Sequence, residues 1–151
     1  MRLILLVCGV LCMLAANAQS AEDSVKQVIS DFFMSMKRSD SSGIRATLSP
    51  AVHFETIQTK PDASFSPKQE SITDFLSGIA RTPAGALDER IRFDLVRVDG
   101  PLAIVWTPYE FYYNDKYSHC GVNSFQLVRI QDKWLIQYVI DTRRKQCDLS
   151  K

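Results

Sequence analysis

The residue best suited to acid–base chemistry in this sequence is His119, because an imidazole titrates near neutral pH. It stands beside Cys120 and among aromatic residues. If the segments on either side of Asn114 pair as a hairpin, His119 faces Phe111 and lies level with Tyr109. We therefore consider His119 as a general base and Tyr109 as a hydrogen-bond donor. The alternative is a structural histidine at a strand end, held by hydrogen bonds to the backbone.

His53 and Glu55 are a second pair that could join such a site. They stand two residues apart in the segment 52–58, so a strand would place both on one side. We favour a simple solvated strand face for them, because charged groups usually stay exposed. The residues that we predict to contact a ligand are Trp106, Tyr109, His53, Phe111, His119 and Asn123.

Glu110 is notable because it faces Glu89 in the register predicted for the first hairpin of the sheet. Two facing carboxylates would repel each other and raise one pKa, unless an arginine lies between them. We favour a supporting Arg–Glu pair at the strand ends, through Arg90 or Arg143. Asp141 fits the same supporting role.

Motifs for several other chemistries are absent from the sequence. It has no Gly-x-Ser-x-Gly nucleophile, no glycine-rich phosphate loop and no His-Glu-x-x-His zinc motif. We therefore expect no cofactor and no metal site.

Residues 1–18 have the pattern of a signal peptide. An apolar run extends from Leu3 to Leu14, and Ala16-Asn17-Ala18 matches the small-x-small sequence cut by signal peptidase. A run of about a dozen apolar residues is too short for a bilayer, which needs about twenty. An uncleaved anchor is the alternative. We expect an exported protein, periplasmic or secreted, with no membrane span and one domain over residues 19–151.

Removal of the leader changes the charge and cysteine counts. Eighteen Lys and Arg residues oppose 17 Asp and Glu in the whole chain, and the loss of Arg2 makes the mature net charge zero. A neutral domain has no electrostatic attraction for nucleic acid. Cys120 and Cys147 remain, and two cysteines in an exported chain usually form a disulfide. Zinc is the less favoured alternative, because no Cys-x-x-Cys spacing accompanies them.

Apolar periodicity predicts three helices. The first begins at Ser20 and has a stripe of apolar residues at steps of three and four, and a short second helix ends before Pro50. The third is predicted to begin at Ser66, which Pro67 and Gln69 follow as favourable residues of a first turn.

Alternating apolar residues predict the strands. The segments 52–58 and 88–98 each predict one strand, and Asp99-Gly100 is a hairpin signal. Residues 101–142 contain three long runs of β-branched and aromatic residues, separated by short turns. The chain is therefore predicted to be an α+β domain that ends in a four-stranded antiparallel meander, with Arg144 facing His119 in the last hairpin.

The sequence resembles the nuclear transport factor 2-like superfamily over the whole mature chain. It looks especially similar to the exported, lumazine-binding-type or SnoaL-like bacterial branch. The most specific segments are Trp106-x-x-Tyr109-x-Phe111, Ser118-His119-Cys120-Gly121, and Trp134 with Asp141-Thr142-Arg143-Arg144.

This resemblance implies a cone-shaped α+β fold, with three N-terminal helices packed on a curved antiparallel sheet. It also implies a pocket at the open end of the cone and a homodimer through the outer face of the sheet. Because the superfamily includes enzymes, carriers and proteins without known activity, the fold alone does not fix the function.

Our leading hypothesis is an exported pocket protein that binds a small apolar or aromatic ligand, or a protein partner, with no assignable catalysis. The first alternative is a small pocket enzyme, an isomerase, dehydratase or cyclase, that uses His119 as acid or base. The second alternative is an interaction module of the cell envelope whose pocket is filled by side chains.

Overall fold

A computed structural model of the protein describes residues 20–147. The predicted signal peptide, residues 1–18, lies outside the described residues, and so does the expected mature N-terminus, Gln19. Within the described range, no helix is both long and apolar enough to cross a membrane.

The described residues form three helices and seven strands, which makes the protein an α+β domain. In chain order these elements are α1 (Ala21–Lys37), α2 (Ser41–Thr47), β1 (Leu48–Thr59), β2 (Phe65–Glu70), α3 (Ile72–Arg81), β3 (Leu87–Ile91), β4 (Leu95–Asp99), β5 (Leu102–Tyr113), β6 (Lys116–Ile130) and β7 (Lys133–Arg144).

The strands form one sheet in the order β2-β1-β7-β6-β5-β3, and β4 also pairs with β5. The prediction of an antiparallel sheet was wrong at one pair, because β1 and β7 run parallel. The meander leaves one edge of β7 unpaired, and β1 satisfies the hydrogen-bonding groups of that edge. Short turns in a sequence reveal antiparallel neighbours, whereas this pairing joins distant segments and leaves no local signal.

Helix α1 begins as its sequence predicts, with the Ser20 side chain accepting a hydrogen bond from the Asp23 backbone N–H at 3.0 Å. Its apolar stripe packs against the sheet. The rings of Phe32 and Phe33 both meet Phe125 of β6 edge to face, with ring centres 6.3 and 6.0 Å apart. This aromatic cluster holds the helix over the middle of the sheet.

The third helix begins later than predicted, at Ile72, and its N-cap is Ser71 rather than Ser66. The preceding residues form β2, an edge strand in which Pro67 lies opposite Ile57 of β1. Proline is tolerated at a sheet edge, where its missing N–H is not needed for pairing. The start signal predicted at Ser66 was therefore wrong, and Ser71 is the residue whose side chain accepts a hydrogen bond from the Asp74 backbone N–H, at 3.2 Å.

The single strand predicted over 88–98 is interrupted, since β3 ends at Ile91 and β4 begins at Leu95. Residues between them still donate backbone hydrogen bonds to β5, from Arg92 to Pro108 and from Asp94 to Trp106.

The registers of the hairpins agree with the sequence only in part. Phe111 faces His119 across β5 and β6, as predicted. An extra residue in β7, Gln137, lies opposite Gln126 and Leu127 of β6 and shifts the pairing, so Arg144 faces Cys120 rather than His119. The two tight turns of the meander are each built from two residues with positive φ, which are Asn114 and Asp115, and Gln131 and Asp132.

The structure contains the predicted disulfide between Cys120 and Cys147, with Cα atoms 6.1 Å apart. It fixes the segment after β7 against β6. The Tyr117 hydroxyl donates to the Lys145 carbonyl at 3.1 Å, and the Lys145 ammonium donates to the Ser118 carbonyl at 3.4 Å. These contacts, all within three residues after Arg144, hold the end of β7 in place.

Candidate functional site

Two adjoining cavities lie between the helices and the covered face of the sheet. The inner one has a volume of about 90 Å³ and is walled mainly by phenylalanine side chains. The outer one has a volume of about 230 Å³ and reaches His119. We call the two together the cone pocket. The residues that line both cavities are Met36, Glu70, Phe75, Glu89, Asp141 and Arg143.

The register of three neighbouring strands places a row of polar residues at the inner end of the cone pocket. Thr107 of β5 faces Asn123 of β6, which in turn faces Asp141 of β7. Paired residues on adjacent strands point to the same side of a sheet. All three side chains are buried, with exposed fractions below 10%. The apolar core therefore contains a polar strip that the helices cover.

Glu89 of β3 reaches this strip and is its most unusual member. Its carboxylate accepts a hydrogen bond from the Asn123 side-chain amide at 2.7 Å. Burial raises the pKa of Glu89 to about 7, and the nearby Asp141 acts in the same direction, against the opposing effects of Asn123 and Arg143. A carboxyl group that titrates near neutral pH can both take and release a proton under physiological conditions.

Asp141 is held in a different environment from Glu89. The Arg143 guanidinium donates to it at 2.7 Å, and the Tyr109 hydroxyl lies 3.3 Å from the same oxygen. The Tyr109 hydroxyl also lies 3.0 Å from the Thr142 carbonyl. Burial and the neighbouring carboxylates raise the pKa of Tyr109, which keeps its phenol protonated. The hydroxyl therefore already has acceptors within the protein.

His119 lines the outer cavity and is half-buried there. Its ring packs edge to face on Tyr109 and beside Phe111, with ring centres 5.7 and 5.0 Å away. Its Nδ1 atom lies 3.1 Å from the Ser118 hydroxyl. Burial and the charge of Arg143 lower the pKa of His119. A neutral imidazole at neutral pH can accept a proton or a hydrogen bond from a bound molecule.

Four of the residues predicted to contact a ligand come together in the cone pocket, namely Tyr109, Phe111, His119 and Asn123. Trp106 and His53 do not join them. Trp106 faces Leu95 and Ser124, on the side of β5 opposite to Tyr109, and 45% of its surface is exposed. His53 is exposed and pairs with Tyr138. Strand alternation separates these side chains from the cone pocket.

The facing of Glu89 and Glu110 expected from the sequence was wrong. Glu89 faces Phe111, and Glu110 faces Arg90, because the register of β3 on β5 differs by one residue from the expected one. A one-residue difference moves a side chain to the other face of the sheet. Glu89 consequently lies inside the cone, where sequence reasoning had not placed it. The available signal was its position two residues before Ile91, on the apolar side of an alternating strand.

The described residues contain no group of three or more His, Cys, Asp or Glu side chains arranged to hold a metal ion.

Comparisons with known proteins relate the chain to others by structure. The sequence matches no family model and no curated protein. One similar structure is an NTF2-like protein of unknown function from Shewanella baltica, with 14% identity and a TM-score of 0.63, over 82% of this chain and 93% of that one. Another, from Nostoc punctiforme, is a protein of unknown function with a cystatin-like fold. Its identity is 12% and its TM-score 0.65, over 86% of this chain and 97% of that one.

A third similar structure is an NTF2-like protein of unknown function from Methylobacillus flagellatus, with 14% identity and a TM-score of 0.60. The match covers 81% of this chain and 90% of that one. At identities this low, structural likeness establishes the fold and leaves the activity open. The chain has the nuclear transport factor 2-like fold.

Proposed function

We propose that the protein is an exported binding protein whose cone pocket holds a small molecule with an apolar or aromatic body and one polar group. The observation that carries this proposal is the Glu89 carboxyl, hydrogen-bonded by Asn123 inside a cavity walled by phenylalanines. Ligand sites in proteins combine apolar walls with a few polar groups of this kind. The export signal and the Cys120–Cys147 disulfide support a place in the periplasm or outside the cell.

The size of the cone pocket limits the ligand. An apolar cavity of about 150 Å³ is known to accept benzene. The outer cavity of about 230 Å³ has room for one ring with a short substituent, and the inner cavity of about 90 Å³ has room for a small group beyond it. The combined volume of the two cavities exceeds that of a few water molecules. This favours a ligand-binding protein over an interaction module whose pocket is filled by side chains. We also propose that the protein belongs to the lumazine-binding-type or SnoaL-like branch of the nuclear transport factor 2-like superfamily.

Native mass spectrometry of protein expressed with its leader tests this proposal. We expect a chain that begins at Gln19, carries one disulfide and retains a small organic molecule. Leu87 lines the outer cavity, so L87W should fill the space and remove the bound molecule. The matched control is I130W, because Ile130 is exposed and lines neither cavity. The proposal fails if neither native spectra nor an NMR fragment screen finds a molecule that L87W displaces.

Acid–base catalysis is the second candidate, and one observation favours it. Glu89, with its pKa near 7, and the neutral His119 line the same cavity. Tyr109 is poorly placed as a donor to substrate, since its hydroxyl lies within bonding distance of Asp141 and Thr142. If the retained molecule is a substrate, incubation with the protein will convert it to a product with a different NMR spectrum, a readout that also detects an isomerisation. A catalytic His119 requires that H119A abolish this change without lowering the melting temperature.

The outer face of the sheet carries exposed apolar side chains, and we propose that it pairs two copies of the protein. Contiguous exposed apolar surface of this kind commonly marks an interface. We expect the wild-type protein to sediment as a dimer and W106K to sediment as a monomer. M34K is the control, because Met34 is equally exposed but lies on α1. A wild-type monomer at all concentrations would rule the dimer out. The exposed residues are Leu95, Leu102, Ile104 and Trp106.

A further inference from the structure

The charged side chains that line both cavities of the cone pocket are unequal in sign. Three are acids, Glu70, Glu89 and Asp141, and one is a cation, Arg143. Arg143 is committed to Asp141 through a contact of 2.7 Å. Two carboxyl groups thus share a partly enclosed space with a single cation that is already paired. Burial and the charge of Asp141 both disfavour the ionised form of Glu89, and a positively charged ligand beside it would offset that cost.

Aromatic rings form much of the remaining wall. Phe75 lines both cavities and is stacked on Phe32 with ring centres 6.2 Å apart. Phe111 and the neutral His119 ring stand at the outer end. The faces of aromatic rings carry partial negative charge and attract cations, most strongly where water is excluded. The acidic side chains and the aromatic rings of the cavity therefore both favour a cationic ligand.

We infer that the ligand of the cone pocket is a small organic cation, a protonated amine on a body of about one ring, whose charge lies against Glu89 and Glu70. This inference rests on the proposed binding function and assigns its ligand class. An anionic ligand would add a third uncompensated negative charge to the cavity. A neutral ligand would leave the two carboxyl groups without a counter-charge. An amine satisfies Glu89 by a charge-assisted hydrogen bond and places its body against the rings.

Binding of a cation must be linked to the ionisation of Glu89. The titratable groups that line the cone pocket with Glu89 are Asp141 and Arg143 on β7, Tyr109 on β5, His119 on β6, Glu70 on β2 and Glu55 on β1, with Asn123 as its hydrogen-bond donor. Below pH 7 the carboxyl is largely neutral and must release a proton before it can pair with the amine. Affinity should therefore rise with pH, by about tenfold between pH 6 and pH 8.

The test uses three probes of one shape, namely benzylamine, benzyl alcohol and benzoate, titrated into the full mature protein by isothermal calorimetry. They place a positive, a neutral and a negative group on the same ring, and benzylamine remains protonated from pH 6 to pH 8. We expect benzylamine to bind at pH 8 at least tenfold more tightly than benzyl alcohol, and benzoate to bind weakest. In E89Q the preference for benzylamine over benzyl alcohol should disappear.

The controls separate the possible failures. His119 also gains a proton at low pH, so H119Q must keep the pH dependence of benzylamine binding while E89Q must lose it. If benzyl alcohol binds as tightly as benzylamine, or if E89Q keeps the preference, the cation inference is wrong while the binding function stands. If no probe binds and no fragment is displaced by L87W, both are wrong.

Discussion

E89Q is expected to be more stable than the wild-type protein at pH 8, by about 3 kcal/mol at most, and nearly equal to it at pH 4. Glutamine has the size of glutamate and can still accept the Asn123 hydrogen bond. It removes a charge that the folded protein holds in a poorly solvated position. The gain should appear as a higher denaturant midpoint, with an unchanged slope, in urea unfolding of the oxidised protein.

The pH range of this effect follows from the direction of the Glu89 shift. The pKa is 4.5 for an ordinary glutamate and about 7 in the fold. Between these values the unfolded chain loses its proton while the folded protein keeps it, so the unfolding free energy falls as pH rises. One pKa unit corresponds to about 1.4 kcal/mol, which gives the size of the loss by pH 8. E89Q has no such group and escapes this loss.

The control for E89Q is E110Q. Glu110 accepts a hydrogen bond from the Tyr112 hydroxyl at 2.9 Å and does not line the cone pocket. The same chemical change should alter stability there by no more than about 0.5 kcal/mol. If E89Q is less stable than wild type at both pH 4 and pH 8, Glu89 is a structural group. A stability gain would instead identify Glu89 as a residue that costs the fold stability, which is typical of binding and catalytic sites.

G121A is expected to destabilise the protein by about 4 kcal/mol or to prevent folding, the largest effect that we predict for one substitution. Gly121 lies in β6 between Tyr109 of β5 and Arg143 of β7. A Cβ atom there would overlap the Thr142 carbonyl oxygen and come within 2.9 Å of the Tyr109 ring. Because the first of these atoms is backbone, no change of rotamer can relieve the overlap.

G78A is the matched control for G121A. Gly78 lies within α3, and a Cβ added there would meet no atom within 4 Å. Alanine is favoured over glycine in a helix, so G78A should be neutral or more stable by about 0.5–1 kcal/mol. Chemical unfolding of the three proteins makes the comparison. A G121A protein within about 1 kcal/mol of wild type would mean that β6 and β7 do not approach as closely as the structure has them.

The parts of the fold that the sequence predicted well are those with local signals. The stripe of α1 and the two-residue turns at Asn114 and Gln131 depend on nearby residues only. The parallel pairing of β1 with β7 joins segments far apart, and periodicity does not indicate which strands become neighbours. The bulge at Gln137 of β7 has no glycine to mark it, so the shift of Arg144 could not be predicted.

The same distinction applies to the candidate site. The sequence predicted that Phe111 faces His119, and in the structure this facing results from the turn at Asn114 together with one extra residue of β6, Ser118. Trp106 was grouped with Tyr109 by aromatic character, although an odd spacing within a strand places them on opposite faces. Glu89 required the register of β3 on β5. The turn after Asp99 shifts β4 by two residues from the expected register, and the irregular residues between β3 and β4 leave β3 shifted by one.

The parallel pairing of β1 with β7 also determines when the cone pocket can exist during synthesis. Ser49 of β1 and Gln137 of β7 form a hydrogen bond across a separation of 88 residues. At ribosomal rates of about 5–20 residues per second, the synthesis of β7 follows that of β1 by roughly 4 to 18 s. Asp141 and Arg143 belong to β7 and are therefore synthesised equally late. A chain paused before β7 therefore has neither the complete sheet nor the site.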